Sequence, residues 1–177
     1  SVDRCCGRSW KLINMLLSKL GYSVTAVTGR MELEGYLKDL GATNIMSRDD
    51  LLAMSRPLNS GKWAGAIDTV GSTLLANILS AINYGGSVAC CGNASGNDLP
   101  TTVLPFILRK IQLIGIDSVY CPINVRNDAW KRLGDLITPE EFENITNEVS
   151  LNEIEKPAKL ILEGKVQGRT VVNIKDI

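Results

Sequence analysis

Few residues in this chain have chemistry to offer, and they are unevenly placed. Thr28-Gly29-Arg30 sets a hydroxyl, a glycine and a guanidinium side by side. Such a triplet suits a phosphate: glycine lets the backbone come close, and arginine offers a planar fork of donors. Arg48 is a second cation that could serve the same anion. The competing reading makes both arginines solvated surface groups. Asp68-Thr69-Val70-Gly71 ends a strand-like run on a glycine. Gly92-Asn93-Ala94-Ser95-Gly96 is a run of small residues that a flat ligand could approach, or a plain surface loop. Asp117-Ser118 offers a backbone facing a ligand, or the start of a turn. Cys90 and Cys91 read as small core residues rather than nucleophiles, because no histidine stands beside them to activate them.

What could position these groups is an alternation of strand-like and helix-like runs. Strands are expected over residues 23–28, 43–46, 64–70, 86–91 and 111–116. Helical spacing covers 12–20, 32–40, 73–83 and 103–110. Gly21 and Gly41 fit helix ends. The apolar stripes Leu33, Leu37, Leu40 and Leu74, Leu75, Ile78, Leu79, Ile82 fit buried helix faces. This order predicts an α/β fold with a doubly wound parallel sheet. Ligands of such a sheet bind at the carboxyl ends of the strands. In a dinucleotide fold, the turn after 23–28 separates NAD from NADP, since an acidic residue there would bind ribose hydroxyls. Thr28-Gly29-Arg30 has none and favours a 2′-phosphate. Gly71 could let the chain turn close to an adenine, or Thr69 or Ser72 could cap a helix there. After about Pro122 the pattern changes. Helices are expected over 127–137 and 151–163, the latter weakened by Pro157. Thr138 and Pro139 fit an N-cap and a first helical position. A last strand is expected over 170–174, in a tail that need not share the main sheet. The domains are thus read as 1–122, a Rossmann unit, and 123–177, a returning segment.

Composition narrows the classes. The 177 residues are 45% hydrophobic and 21% charged, with 19 basic and 19 acidic side chains. A neutral balance gives no reason to expect nucleic acid or an anionic membrane as partner. No apolar run reaches the length of a membrane span, and the first residues do not read as a secretion signal. The five cysteines stand as two adjacent pairs and a single, and there is no histidine. Neither a disulfide framework nor a zinc site is expected from that, and a reduced, cytoplasmic protein is.

Several segments resemble one known family. Tyr84-Gly85-Gly86-Ser87-Val88, Pro100-Thr101-Thr102-Val103 with Pro105-Phe106-Ile107-Leu108-Arg109, Gly115-Ile116-Asp117-Ser118-Val119-Tyr120-Cys121-Pro122, and Gln167-Gly168-Arg169-Thr170 carry the resemblance. They look like the zinc-free medium-chain dehydrogenase/reductases of the acrylyl-CoA reductase branch, often labelled quinone oxidoreductases. The resemblance covers about residues 12 to 175. It implies NADPH as cofactor and reduction of an activated carbon–carbon double bond in a small-molecule substrate. It implies a homodimer pairing near residues 111–116. By position it gives Thr28, Gly29, Arg30 and Arg48 to the 2′-phosphate. Gly92, Asn93 and Ala94, with Asp117 and Ser118, go to the nicotinamide end, and Arg169 to the cofactor or the interdomain cleft. It names no catalytic acid in this stretch.

Two departures from the family set further expectations. The family carries a substrate domain and an opening strand ahead of this region, and neither is expected here; absence of the strand would leave two strand edges unpaired. The family's glycine-rich loop reads approximately T-G-A-x-G-G-V-G-S, whereas this chain reads Asp3-Arg4-Cys5-Cys6-Gly7-Arg8-Ser9-Trp10-Lys11. Bulky residues fit poorly where backbone N–H groups must touch a pyrophosphate. Suitable codons read one nucleotide later spell the glycine loop, and Trp10-Lys11 forces a glycine in that frame. A local frame shift repaired by about Asn14 is therefore expected, the alternative being a divergent loop. On these grounds the chain alone should not turn over. A non-catalytic cofactor-binding or dimerisation fragment is the alternative function.

Overall fold

The structure, a computed structural model, describes residues 9–163, 166 and 168–175. The loop at Asp3–Arg8 and Gln167 lie outside the described residues. Among the described residues, 9–45 together with those from Pro122 onward form one compact unit, and Met46–Cys121 form a second.

In the first unit, α1 (Ser9–Lys19) leads through Gly21 to β1 (Thr25–Thr28). The N–H groups of Gly21 and Tyr22 return to the carbonyls of Ser18 and Leu17 and close the helix. A single 3-10 turn and α2 (Glu34–Asp39) occupy the segment expected to be one helix. Leu37 is buried against Ala26 and Ala42, with Leu33 and Ile45 beside them, so Leu33 and Leu37 of the leucine stripe face this core, while Leu40 is half-buried outside it. Asn14 is the exception to α1's apolar pattern. It is fully buried, and neither polar atom of its side chain has a hydrogen-bond partner among the described residues. An orphaned amide of this kind costs about 1–3 kcal/mol. The unit resumes with α6 (Ile123–Leu136) and α7 (Pro139–Asn144). Thr138 caps α7 reciprocally with Glu141, and Pro139 takes the first turn, as expected. Then β6 (Thr146–Ser150), α8 (Glu155–Leu162) and β7 (Arg169–Asn173) follow. Pro157 sits in α8's first turn, where a missing N–H is harmless. The tail has its own parallel pair, β6–β7; β6, polar and short, was not anticipated.

The strand β2 (Asn44–Ser47) pairs with β1. In the second unit, α3 (Arg48–Leu52) was not expected; its signal is Ser47 as N-cap, whose hydroxyl accepts the Asp50 N–H at 3.0 Å, with Asp49 and Asp50 in the first turn. Next come β3 (Trp63–Asp68), α4 (Ser72–Ser80), β4 (Ile82–Cys90), α5 (Leu104–Arg109) and β5 (Gln112–Gly115). The helix expected over 73–83 ends at Ser80. The carbonyl of Ala81 accepts the N–H groups of Lys62 and Trp63, and the Arg109 guanidinium donates to the carbonyls of Ser80 and Ile82, both at 3.0 Å. These bonds draw Ile82 out of the helix and into the sheet. β3, β4 and β5 are parallel neighbours in that order. The α/β class and parallel pairing are as expected. Among the described residues the strands nevertheless form separate sheets, β1–β2, β3–β4–β5 and β6–β7.

Candidate cofactor site

Register brings the carboxyl ends of the three strands in the second unit level with one another: Asp68 lies opposite Cys90, and Cys90 opposite Gly115. The loops that follow are tied together by backbone. Cys91 N–H donates to the carbonyl of Asp68, Ser95 N–H to that of Val70, and Ile116 N–H to that of Cys90, at 2.8–2.9 Å. Two glycines make this possible. A Cβ on Gly92 would lie 2.5 Å from the Thr69 oxygen, and one on Gly71 would lie 2.8 Å from the Gly96 oxygen. Gly71 also has φ +74. It is itself the N-cap residue of α4, so neither Thr69 nor Ser72 plays the capping part expected of it. The Asp68 carboxylate instead takes the N–H of the N-cap residue itself, Gly71, at 2.9 Å. Burial pushes the Asp68 carboxyl above its ordinary range, and hydrogen bonds from Gly71, Val70 and Cys90 work against that.

Gly92, Asn93 and Ala94 lie on the loop after β4, and Asp117 and Ser118 on the loop after β5. Asn93 and Ala94 are exposed, and Asn93 donates its side-chain N–H to Asn97. Asp117 Oδ1 accepts the N–H groups of Val119 at 2.8 Å and Tyr120 at 3.1 Å. Its side chain therefore starts a turn, the plainer of its two readings. Cys91 is exposed and Cys90 half-buried. This corrects the expectation that both are core residues; Cys90 ends β4 and Cys91 follows it, where neither is fully covered.

In the first unit, the end of β1 is organised by Thr28. The residue is buried, and its hydroxyl accepts the Arg30 N–H at 3.0 Å. The hydroxyl is thus spent on folding the loop, while Gly29 is exposed and the Arg30 side chain half-exposed. Arg48 is buried at the start of α3, which removes the reading of it as a solvated surface group. Arg169 opens β7, with its N–H bonded to the Ile145 carbonyl at 2.7 Å. A cavity of about 1120 Å³ lies between Tyr36 and the C-terminal segment, including Asn147, Lys156 and Leu160, and none of the candidate residues lines it. Among the described residues no group of three or more histidine, cysteine or acidic side chains could hold a metal, and no helix is long and apolar enough to cross a membrane.

This arrangement, parallel strands with a glycine-tied platform at their carboxyl ends, has close known counterparts. Residues 12–138 match the family described as zinc-binding dehydrogenase. The acrylyl-CoA reductase of Ruegeria pomeroyi is 44% identical over 174 residues, 98% of this chain and 53% of that protein. The crystal structure of the YhdH oxidoreductase from Salmonella enterica in complex with NADP superimposes with a TM-score of 0.89 at 49% identity, over 95% of this chain and 52% of that one. The YhfP protein of Bacillus subtilis, solved with NAD bound, gives 0.87 at 43%, over 94% and 53%. The chain belongs to the medium-chain dehydrogenase/reductase family. It spans about half the length of the relatives it matches. As a member of that family, it has the Rossmann-type fold that the strand order implied. Sequence reasoning named the loop residues of this medium-chain reductase segment and missed Asp68, whose carboxylate ties the platform. The signal was present as an aspartate closing an apolar strand, three residues before a glycine.

Proposed function

We propose that this chain forms the NADPH-binding part of a zinc-free reductase that delivers hydride to an activated carbon–carbon double bond, in an acrylyl-CoA-like enoyl thioester or a quinone. The observation that carries the reading is the loop after β1. It presents an exposed glycine and a half-buried arginine with no carboxylate among Thr28, Gly29 and Arg30, a donor set that fits a 2′-phosphate and not a pair of ribose hydroxyls. Arg30 binds that phosphate, Thr28 holds the loop that aims it, and Arg48 adds a second cation. The loops at Gly92–Ala94 and Asp117-Ser118 border the nicotinamide end, and Arg169 lies toward the cofactor or the cleft. When bound, the cofactor supplies the hydride; the protein supplies binding and orientation. The close relative named acrylyl-CoA reductase supports the substrate class.

The same reading makes the protein cytoplasmic and a homodimer. Support for the dimer comes from β5, among the described residues an edge strand of its sheet, with Ile114 and, just past its end, Ile116 exposed. It also makes the chain, taken alone, inactive, since positioning by a substrate wall accounts for many orders of magnitude in rate. The test is a paired assay of NADPH-dependent reduction of acrylyl-CoA. One sample is the chain as given; the other adds an N-terminal domain like that of its relatives and the glycine loop spelled by the shifted frame. Activity confined to the second sample is expected. Comparable turnover by the short chain would refute the partial-chain reading and leave the reductase reading standing. No activity in either would refute the substrate class. Elemental analysis of the active sample is expected to find no stoichiometric zinc.

A further inference from the structure

Asp68, Cys90 and Cys91 form a cluster at the ends of β3 and β4 to which the reading above gives no part. Asp68 is 1% exposed. Its Oδ2 takes the Gly71 N–H, and the Cys90 thiol donates to the same oxygen over 3.7 Å. Its Oδ1 has no hydrogen-bond partner among the described residues. The Cys91 thiol donates to the Asp68 carbonyl over 3.4 Å. Gly92, Asn93 and Ala94, which border the nicotinamide end in that reading, follow directly. Two sulfurs therefore stand beside a place meant to admit an electron-poor alkene. Such an alkene is what a thiolate attacks. Sulfur bonds to the β-carbon, the π pair shifts to the α-carbon, and water supplies the proton there. The sum is addition of S–H across the double bond, with no external oxidant or reductant. A reactive cysteine at this position would be alkylated by the enzyme's own substrate.

We propose that Asp68 is a guard residue, whose buried carboxylate keeps Cys90 and Cys91 from capturing electrophilic alkenes. The thiolate, not the thiol, is the nucleophile. Ionising either sulfur would set a second negative charge beside the buried Asp68 carboxylate, with the half-buried Cys90 screened by water less than the exposed Cys91. Burial first, and then the Asp68 charge, push both thiols above their ordinary range. The Gly92 backbone opposes this at Cys90, Cys90 adds to it at Cys91, and among the described residues no cationic side chain acts on either sulfur. The same carboxylate that ties the platform thereby keeps it chemically quiet. The inference rests on the reductase reading only for the presence of the alkene. The reactivity itself belongs to the chain and is measured without cofactor or turnover, so the two ideas fail separately.

The experiment treats the chain with acrylamide at neutral pH and follows each cysteine by peptide-resolved mass spectrometry. Asp68→Asn keeps the size of the side chain and an oxygen for the Gly71 N–H while removing the charge. Cys90 and Cys91 are expected to react roughly three- to tenfold faster in this variant, since a more acidic thiol gains in thiolate fraction more than it loses in nucleophilicity. Cys121 is expected to react at an unchanged rate. Equal rates at Cys90 and Cys91 in the parent and in Asp68→Asn would overturn the proposal. If every cysteine accelerates together, the variant has opened, and the parent's own pH profile decides. Modification of Cys90 and Cys91 must then set in at higher pH than that of N-acetylcysteine measured alongside; onset at the same pH would also overturn it.

Discussion

Past β3 and β4 the chain is pinned backbone to backbone. Gly71 and Gly92 bring peptide groups so close that a Cβ at either would meet a carbonyl oxygen within 2.8 Å. Past β1 the chain is pinned by one side chain, the Thr28 hydroxyl on the Arg30 N–H. The first arrangement offers a ligand mainly backbone. The second uses one hydroxyl to fold a short loop that carries a guanidinium beside it. Substitutions should therefore act on stability at the first place and on ligand choice at the second. The largest effect expected from this contrast is at Gly92. Gly92→Val drives a side chain into the Thr69 carbonyl and should lower the unfolding free energy by about 3 kcal/mol. Gly29→Ala, at an exposed position, should change it by less than about 0.5 kcal/mol. Urea denaturation of both variants checks the pair, and similar losses would erase the distinction.

Arg30→Ala should act the other way round, leaving stability nearly unchanged and weakening NADPH roughly tenfold or more, as loss of a charge-assisted contact does. NADH affinity should hold. Calorimetric titration of both cofactors reads the difference, and an equal loss for the two would remove Arg30 from the phosphate site. The relative solved with NAD gives this measurement its edge. A smaller effect belongs to Thr28. Thr28→Val keeps the shape and drops the hydroxyl, so the loop should lose about 1 kcal/mol, while Thr28→Ser should restore most of it. Since the hydroxyl is spent on Arg30, the variant should also weaken NADPH, through the misplaced guanidinium rather than through a lost contact. If NADPH binding is untouched while stability falls, the loop does not aim Arg30.

How far the sequence could be read follows from the same contrast. β1, β3 and β5 were legible because apolar runs bounded by glycines leave few alternatives. The α7 start was legible because Thr138, Pro139 and Glu141 each favour it by an independent mechanism. Two elements were hidden. The Arg48–Leu52 helix has only five residues, too few to show periodicity, and only its cap betrayed it. β6 alternates weakly, with Thr146, Asn147 and Glu148 in a row, and exists because β7 pairs with it along its whole length. At the candidate site the triplet after β1 was legible because its chemistry is carried by side chains. Asp68 was not, because its role depends on which backbone N–H comes within reach. Cys91 was misread for a related reason: an apolar run predicts burial, but β4's last residues stand at the open end of the sheet.

The smallest predicted effect concerns Asp68 and has a definite sign. Burial raises its carboxyl above the ordinary aspartate value, against the hydrogen bonds that lower it. An acid raised in this way keeps its proton longer in the folded chain than in the unfolded one. At a pH below its unfolded value both states hold the proton and the group contributes nothing. As pH climbs from that value through the folded one, the folded chain binds more proton than the unfolded, and stability falls. Above that window the loss is complete and constant. Ionised Asp68 thus burdens the fold at neutral pH even as it anchors Gly71. Asp68→Asn removes the titration and keeps an acceptor. Its stability relative to the parent should therefore move in favour of the variant as pH rises from below the ordinary aspartate range to neutral. Glu140, Glu141 and Glu153 are all held below their ordinary range by hydrogen bonds, Glu141 foremost by Lys19. They tilt both curves the other way, with stability lost as pH falls, and they cancel in the difference. Urea denaturation of parent and variant across that pH range measures the drift. A drift toward the parent with rising pH would mean that the Gly71, Val70 and Cys90 bonds outweigh burial, and that the platform is held by the charge rather than in spite of it.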